Sequence, residues 1–313
     1  MACYKCKPVT LPGAAITSTW GTHTLGIFSE ANLWAGLSFA LWFVVFYLYH
    51  GLGITLGYHR LLTHKSLKVP KWLMYVIVSG GYFGLMGSPI VWVGVHRLHH
   101  QKSDQDGDPH SPKDGFKHAL YEWMFDMRSV QSDEEMRAQV PELMADPLFR
   151  KLGDDHSPTQ AQLCLGLCIA FRVLIFFALG PIALVANILA TFTIFWSTQL
   201  VNAVCHLPNV GYRSHNTREQ SRNVWWVGLL ALGEGWHNNH HAVPKSARHG
   251  MEWFELDVTW YAVWLLEKVG LASAVVRPPK HLMGRRVGAS ANTPVESPFN
   301  FDTASEPVFV NQE

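Results

Sequence analysis

The residues in this sequence that are best suited to chemistry are its histidines, which number 17 among 313 residues. Eight of them form three clusters, HRLLTH at 59–64, HRLHH at 96–100 and HNNHH at 237–241, and each cluster follows an apolar segment. Residues three and four positions apart share one face of a helix, so the second and third clusters can each direct their imidazoles to one point. The first cluster has a spacing of five, which predicts an unwound or bent continuation of the preceding helix.

A ninth histidine, His206, ends a long apolar segment, and Asn202 lies one helical turn before it. Imidazole is the commonest protein ligand of transition metals, and one octahedral ion accepts at most six ligands. Nine imidazoles therefore predict two adjacent metal ions with open coordination positions. The nine candidate ligands are His59, His64, His96, His99, His100, His206, His237, His240 and His241.

The alternative interpretation is that these histidines are solvated and end membrane helices at the level of the lipid headgroups. A single cluster fits this alternative as well as it fits a metal site, because short spacings arise by chance in a histidine-rich chain. Three clusters, all at the ends of apolar segments, favour the metal site. Glu234 is predicted to orient an imidazole by accepting its N–H, and no catalytic residue is predicted beyond the metal ligands. His110 and His249 are interpreted as structural residues or as neighbours that support a ligand, and the other histidines, His50 among them, as surface or headgroup residues.

The composition indicates a membrane protein. Charged residues make up only 16% of the chain, against about 25% in soluble domains, and there are 13 Trp and 17 Phe. Membrane helices are predicted at about 33–57, 161–178 and 182–204, where charged residues are nearly absent. Arg172 lies inside this apolar region and is expected to face protein or a headgroup, since a charge facing lipid costs about 2.5–3.5 kcal/mol.

A further apolar segment at about 72–95 is interrupted by four glycines and by Pro89. A straight crossing would put the first two clusters on opposite faces of the membrane. A re-entrant or interfacial segment instead keeps all nine histidines on one face, with its irregular backbone packed against protein. Arg60 and the lysines at 65, 68 and 71 make this face cytoplasmic.

The fold predicted from these segments is an all-α integral membrane protein, in which a helical membrane bundle carries a cytosolic helical cap that holds the metal site. Residues 33–275 form this domain. The segment 1–32 shows no pattern of a secretory signal, and its topology stays open. The segment 276–313 is predicted to be a disordered tail from its composition. A net charge of +1 leaves no electrostatic field to hold nucleic acid.

Several strings around the clusters resemble those of one protein family. HRLLTH, HRLHH followed by DPHSP at 108–112, NAVCH at 202–206 and SRNVWW running into GEGWHNNHHA at 221–242 are similar to the membrane-bound fatty acyl desaturases of the delta-9 type. The resemblance covers about residues 33–271. It implies that the nine histidines hold a di-iron centre of two Fe ions and that Asn202 contacts one iron through water. It also implies the oxygen-dependent insertion of a cis double bond into a long-chain saturated acyl group, at the delta-9 position.

Regioselectivity in such an enzyme must come from the shape of a tunnel, because an acyl chain has no polar group near the reacting bond. Tyr47, Gly51, Thr55 and His59 recur every four residues on one helix face. By the resemblance, Gly51 leaves space in the tunnel and Tyr47 stops the methyl end of the chain. The alternative is that Tyr47 and Gly51 only pack against a neighbouring helix.

The expected partners are a long-chain acyl substrate, membrane lipids and an electron donor. The sequence contains no His-Pro-Gly-Gly haem motif, so electrons are expected from a separate ferredoxin or cytochrome b5. Arg128 stands without a dense basic cluster around it, which favours an acyl-lipid over an acyl-CoA substrate. The nearest alternative function is a membrane di-iron hydroxylase or ketolase on the same scaffold. A His-rich metal transporter is disfavoured, since its ligands would lie near the bilayer midplane.

Overall fold

The structure is a computed structural model that describes residues 30–125 and 131–284 and the backbone of 309–310. Over these residues the chain is mostly helical, with two strands of two residues each, which confirms the predicted fold class. The α-helices, in chain order, are α1 Glu30–Leu52, α2 Lys71–Gly81, α3 Pro89–Lys102, α4 Phe116–Leu120, α5 Asp133–Ala138, α6 Pro141–Met144, α7 Pro147–Leu152, α8 Pro158–Leu179, α9 Pro181–Val204, α10 Trp225–Leu230, α11 His237–Ala242 and α12 Val258–Lys268.

Shorter elements connect these helices. Two π-helical segments, Gly53–Thr63 and Tyr82–Met86, continue α1 and α2 respectively. Strand β1 (Val69–Pro70) pairs in parallel with strand β2 (Phe309–Val310). Single 3-10 turns lie at Pro112–Asp114, Glu122–Phe125 and Lys280–Leu282. Most of the predicted segment 1–32 and most of the predicted tail lie outside the described residues.

Three of the helical stretches are long and apolar enough to cross a membrane: Glu30–Thr63, α8 and α9. Their outer faces are apolar and exposed, as in Leu174 at 63% and Phe192 at 62%. Between α8 and α9, Gly180 has a φ of +86°, a conformation that favours glycine, and the proline after it begins α9. The chain is therefore a membrane protein, with a helical hairpin where the sequence predicts one.

The apolar segment predicted at 72–95 is broken in the middle. The stretch Lys71–Met86 and helix α3 meet at a bend of 79°. Gly87 has a φ of +75°, and the hydroxyl of Ser88 caps α3 by accepting the Ile90 N–H at 3.1 Å. By length and composition the bent pair is either a broken span or a re-entrant segment. The re-entrant form remains our prediction, because it keeps the histidine clusters on one face.

Helices α1 and α2 approach each other through glycines. A Cβ atom on Gly53 would lie 2.1 Å from the amide nitrogen of Gly81, and one on Gly80 would lie 2.2 Å from the carbonyl oxygen of Tyr49. Small residues allow membrane helices to pack this closely. The contact fixes the start of the π-helical segment that carries the first histidine cluster.

Two polar side chains inside the bundle bind protein groups. Arg172 donates to two backbone carbonyls and, at 3.0 Å, to the hydroxyl of Thr191, so it faces protein as expected. His50 is buried, and its two ring nitrogens lie 2.9 Å from the carbonyl of Gly80 and 2.9 Å from the side-chain amide of Asn187. The interpretation of His50 as a surface residue is therefore wrong. A polar ring can be buried here because both nitrogens have partners.

The start of the predicted disordered tail is folded. The N–H of Val276 donates to the carbonyl of Ser66 at 2.8 Å, and Leu282 is only 3% exposed in a cluster with Met251. Residues 276–284 therefore belong to the cap. Composition missed this segment because its order comes from backbone pairing with a distant part of the chain.

Candidate metal centre

The nine predicted histidines converge in two buried groups. In each group the ligand atoms lie within 4.8 Å of one another. The group of five contains His59, His64, His96, His100 and His240. The group of four contains His99, His206, His237 and His241. All nine side chains are at most 9% exposed, so they are not the solvated headgroup residues of the alternative interpretation.

The first cluster lies in a π-helical segment, whereas its spacing predicts an unwound or bent continuation. Residues five apart in an α-helix are about 140° apart around the axis, which would separate His59 from His64. A π-helix closes its hydrogen bonds across five residues and so brings such residues onto one face. The N–H of His64 donates to the carbonyl of His59 at 3.1 Å, and their Nε2 atoms are 3.1 Å apart. The π-helical geometry therefore brings the imidazoles of His59 and His64 together.

Helices α3 and α11 each contribute to both groups. α3 gives His99 to the group of four and its other two histidines to the group of five, while α11 gives His240 to the group of five and its other two to the group of four. Each cluster was predicted to converge on one point. Its three positions instead span an arc wide enough to face two neighbouring centres. The rings of His100 and His241 stack at 4.6 Å and link the groups.

Carboxylate oxygens lie next to the Nδ1 atoms of four of the nine imidazoles, and the contacts of His99 and His206 are hydrogen bonds. Such a carboxylate fixes the tautomer of the ring and leaves Nε2 free for a metal ion. The sequence predicted this role for Glu234 only. The signal for Asp104 and Asp108 was their position in the polar string directly after the second cluster, whereas Glu219 lies far from both clusters in the sequence. The Nδ1-to-oxygen distances are 2.7 Å for His59–Glu234, 2.8 Å for His99–Asp108, 3.1 Å for His206–Asp104 and 3.6 Å for His241–Glu219.

Three of these carboxyls are held in the ionised form. Burial alone would raise the pKa of Asp104 and Asp108, but their hydrogen-bonded histidine partners lower the pKa of both below the usual range. Burial also opposes ionisation of Glu234, yet the neighbouring His59 and Arg60 lower its pKa well below the usual value. The three carboxylates are therefore anions at neutral pH and can balance positive charge at the centre.

The histidines of α11 are held in the neutral form. Burial lowers the pKa of all three well below the ordinary value of histidine. His206 differs, because its hydrogen bond to Asp104 outweighs burial and raises its pKa. Neutral imidazole is the form that binds metal ions, and any proton on His206 would be released on binding.

The fully buried Arg60 contacts the carboxylate of Glu234, which in turn contacts His59 of the group of five. Arg60 is 0% exposed, and its Nη2 atom lies 3.0 Å from a carboxylate oxygen of Glu234 and 2.9 Å from one of Asp257. Glu234 also lies 3.2 Å from Nδ1 of His249. A buried charge is tolerated only when it is paired. The two carboxylates thus stabilise Arg60, and Arg60 in turn fixes the carboxylate that orients His59.

The arrangement of the donor atoms fits bound metal ions. His99 Nε2 is buried and has no hydrogen-bond partner among the described residues, which is costly unless the atom binds something else. Pairs of Nε2 atoms in the two groups approach to 3.0–3.2 Å. A cation within each group would be bound by these converging lone pairs. A shell made only of imidazoles suits iron, copper, zinc or nickel.

A cavity of about 470 Å³ reaches both groups of histidines. His59, His96 and His237 line it, together with Asn202 and with apolar side chains such as Trp92. Other lining residues lie at the protein surface, where the side chain of Phe125 is 85% exposed. The cavity therefore joins the surface to the candidate metal centre. Asn202, predicted to contact the centre through water, is in a suitable position for this role.

Neither Tyr47 nor Gly51 is among the described residues that line this cavity. A Cβ atom on Gly51 would lie 2.5 Å from Leu232 Cδ1, and Tyr47 packs against the cluster of Ile54, Ile194 and Leu232. In this conformation both residues pack against neighbours, as the alternative interpretation describes. The same cluster contains the cavity-lining Ile54, so the cavity ends close to this helix face.

Comparison with known proteins adds an independent observation. The family described as "Fatty acid desaturase" matches residues 32–271 of the chain. These residues include all nine histidines of the two groups and all four carboxylates that contact them.

Individual relatives are similar over most of the chain. The palmitoyl-monogalactosyldiacylglycerol delta-7 desaturase of Arabidopsis thaliana is 40% identical over 265 residues, covering 84% of this chain and 68% of the relative. The sn-1 stearoyl-lipid 9-desaturase of Anabaena variabilis is 40% identical over 245 residues, covering 77% and 84%. Delta-9 acyl-lipid desaturase 2 of Arabidopsis thaliana is 41% identical over 243 residues, covering 76% and 75%.

Proposed function

The chain belongs to the fatty acid desaturase family, and from this premise we propose that it inserts a cis double bond at the delta-9 position of a long-chain saturated acyl group carried on a membrane glycerolipid. As a fatty acid desaturase the protein is an oxidoreductase that acts on an acyl substrate. The observation that carries the proposal is the contact between a largely apolar cavity and the two histidine groups. The names of relatives include both delta-9 and delta-7 desaturases, and more of them specify delta-9.

We propose that each histidine group holds one iron ion. The two irons would supply the activation of O2 needed to remove hydrogen from an unactivated methylene, which protein side chains cannot do. The residues of this chain provide the remaining requirements. Asp104, Asp108 and Glu234 fix ligand tautomers, and Arg60 holds Glu234 in place. Asn202 lines the cavity beside the group of four and would hold a water molecule there.

Trp92 would position the acyl chain against the ligands. Its ring stacks on His96 at 4.9 Å, lies 6.2 Å from His59 and lines the cavity. A methylene pressed against this indole would therefore lie next to the group of five. Since the substrate has no polar group nearby, shape is the remaining means of choosing one carbon pair.

We propose that the methyl end of the chain continues toward Tyr47 and Gly51. The apolar cluster of Ile54, Ile194 and Leu232 lies in contact with both the cavity and Tyr47. The atom nearest to Gly51 is the end of the flexible Leu232 side chain, which can rotate aside at little cost. An acyl chain that displaces these side chains would reach the predicted stop at Tyr47.

The chemistry of the cavity rim supports a glycerolipid substrate. Among the described lining residues none is Lys or Arg, whereas Asp155 lines the cavity; Arg128 lies outside the described residues. Asp155 itself lies 3.9 Å from Arg137, so its charge is partly balanced, and the described lining residues offer no cation to the phosphates of coenzyme A. Trp123 Nε1 and Gln160 Oε1 are buried, have no hydrogen-bond partner among the described residues, and can bind ester or hydroxyl groups.

The active site would face the cytoplasm and receive electrons there from a ferredoxin or a cytochrome b5. The lysines at 65, 68 and 71 support this orientation. Arg60 does not contribute to it, because its charge is buried and neutralised by two carboxylates.

The decisive experiment expresses the full chain in a host without delta-9 activity and locates new double bonds in fatty acid methyl esters by mass spectrometry. We expect delta-9 monoenes, and we expect none from His240→Ala. His281→Ala, which changes an exposed histidine outside both groups, should keep full activity. Hydroxylated or oxidised products from the wild type would instead identify the hydroxylase or ketolase alternative.

A further inference from the structure

The segment 208–222, between α9 and α10, carries an excess of positive charge; we call it the arginine segment. It contains Arg213, Arg218 and Arg222 and a single carboxylate, Glu219. Glu219 is only 4% exposed and points inward, with its carboxylate oxygens 3.6 Å from His241 Nδ1 and 2.6 Å from the N–H of Ser221. The outward face of the segment is therefore positive.

The three guanidinium groups are fixed by neutral oxygens. Arg213 donates to the carbonyl and the hydroxyl of Thr217, both at 2.9 Å. Arg218 donates to the carbonyl of His100 at 2.9 Å and to that of the next residue, and Arg222 donates to a carbonyl at 2.7 Å. Within the described part of the chain, none of the three forms an ion pair with a carboxylate. Their charges are thus held in fixed positions and remain uncompensated.

The arginine segment covers the two histidine groups on a side away from the acyl cavity. Arg218 binds the backbone of His100, whose ring stacks on that of His241. These two ligands retain 7% and 9% exposure, and neither lines the acyl cavity. The N–H of Gln220 donates to Asp104, the carboxylate that holds His206. The segment is therefore in direct contact with ligands or ligand partners of both groups.

The chemistry of the reaction requires a supply of electrons from outside the acyl chain. Formation of one C=C bond removes two hydrogen atoms from the acyl chain, while O2 must gain four electrons and four protons to become two water molecules. The acyl chain supplies half of them, and two electrons and two protons come from outside. During turnover the substrate fills the cavity. The electrons must therefore enter elsewhere, and the arginine segment is a short route to both groups.

From these observations we infer that the arginine segment is the docking surface for a small, acidic, one-electron carrier protein that delivers two electrons in succession. The inference rests on the desaturase function proposed above. Fixed, unpaired positive charges attract an acidic partner from a distance and orient it, and this effect weakens with salt. Arg218 is a positioning residue in this scheme, because it joins the docking surface to His100 without touching the substrate.

The test uses full-length protein in nanodiscs of neutral lipid, with a reduced plant-type ferredoxin and its reductase as the electron source. Arg213→Glu and Arg222→Glu change the surface without touching a histidine ligand. We expect each to lower kcat/KM for ferredoxin about tenfold at low salt. The difference should fall to about twofold at 0.5 M salt, where charges are screened within a few ångströms. Lys268→Glu, an equal change of charge at the exposed end of α12, should leave kcat/KM unchanged.

A second measurement replaces ferredoxin with dithionite and a small neutral mediator. Iron content and turnover of the variants should then equal those of the wild type, because only docking is altered. Equal losses with both reductants would show a structural role and overturn the inference, as would an unchanged kcat/KM for ferredoxin. A loss seen only in anionic nanodiscs would assign the segment to lipid binding and also overturn it. Failure of the wild type with dithionite would instead count against the proposed desaturase function.

Discussion

Glu234→Gln is expected to weaken iron binding about 10- to 100-fold, the range typical of lost carboxylate support behind a ligand. One carboxylate oxygen accepts a hydrogen bond from Arg60 at 3.0 Å, and the other lies 2.7 Å from His59 Nδ1. Glutamine has the same shape but offers one oxygen and one NH2 group. If the oxygen faces Arg60, the NH2 group faces His59 Nδ1 and forces the ring proton onto Nε2, the atom required by the metal. If the oxygen faces His59, two donors meet at Arg60.

Both orientations leave a buried donor or acceptor badly paired, which costs about 1–3 kcal/mol. A 10- to 100-fold loss of affinity corresponds to about 1.4–2.7 kcal/mol, so the two magnitudes agree. The assay loads purified full-length protein with Fe²⁺, titrates it with a competing chelator and measures the iron retained. Glu267→Gln is the matched control, because Glu267 pairs with Arg277 at the surface. Iron retention by Glu234→Gln equal to that of the wild type would refute the argument that this carboxylate sets the His59 tautomer.

Three further changes test the bundle, the cap and the tunnel. Gly80→Ala puts a Cβ atom 2.2 Å from the Tyr49 carbonyl and should lower the unfolding free energy by about 1–3 kcal/mol, seen as a lower Tm in detergent, whereas Gly36→Ala meets nothing within 4 Å and should not. Asp146 accepts hydrogen bonds from Tyr75 at 2.7 Å and from Lys71 at 3.1 Å. Burial alone would raise the pKa of Asp146, but these partners lower it below its usual value. The ionised Asp146 therefore stabilises the folded protein above the unfolded pKa of about 3.9, and this stabilisation is lost as the pH falls below that value. The wild type should have a higher Tm than Asp146→Asn at pH 7, and this difference should disappear toward pH 3. Gly51→Leu should shift products toward shorter acyl chains in methyl ester analysis, and an unchanged profile would favour simple packing at this position.

The sequence alone predicted the fold class and the family because these depend on local patterns. Apolar length and the absence of charge located the hairpin of α8 and α9, and the glycines with Pro89 located the break before α3. Histidine types and spacings identified all nine members of the two groups. Each of these signals is contained within a few consecutive turns of the chain.

The features that the sequence did not predict depend on contacts between distant segments. The division of the second and third clusters between the two groups follows from how α3 and α11 face each other, and the spacing within one helix cannot reveal it. The π-helical segment of the first cluster begins at Gly53, where the chain packs closely against Gly80 and Gly81, a contact that local sequence patterns do not reveal. Asp104 and Asp108 hold their histidines only because the chain turns back after α3. His50 was misjudged because its partners lie 30 and 137 positions away.

The division into five and four imidazoles has a consequence for how the protein matures. If each group holds one iron ion, as proposed above, two pockets with different numbers of nitrogen donors should fill one after the other, the richer one first. Assembly would then pass through a defined species with a single ion, so a preparation with half the full metal content would be one uniform intermediate.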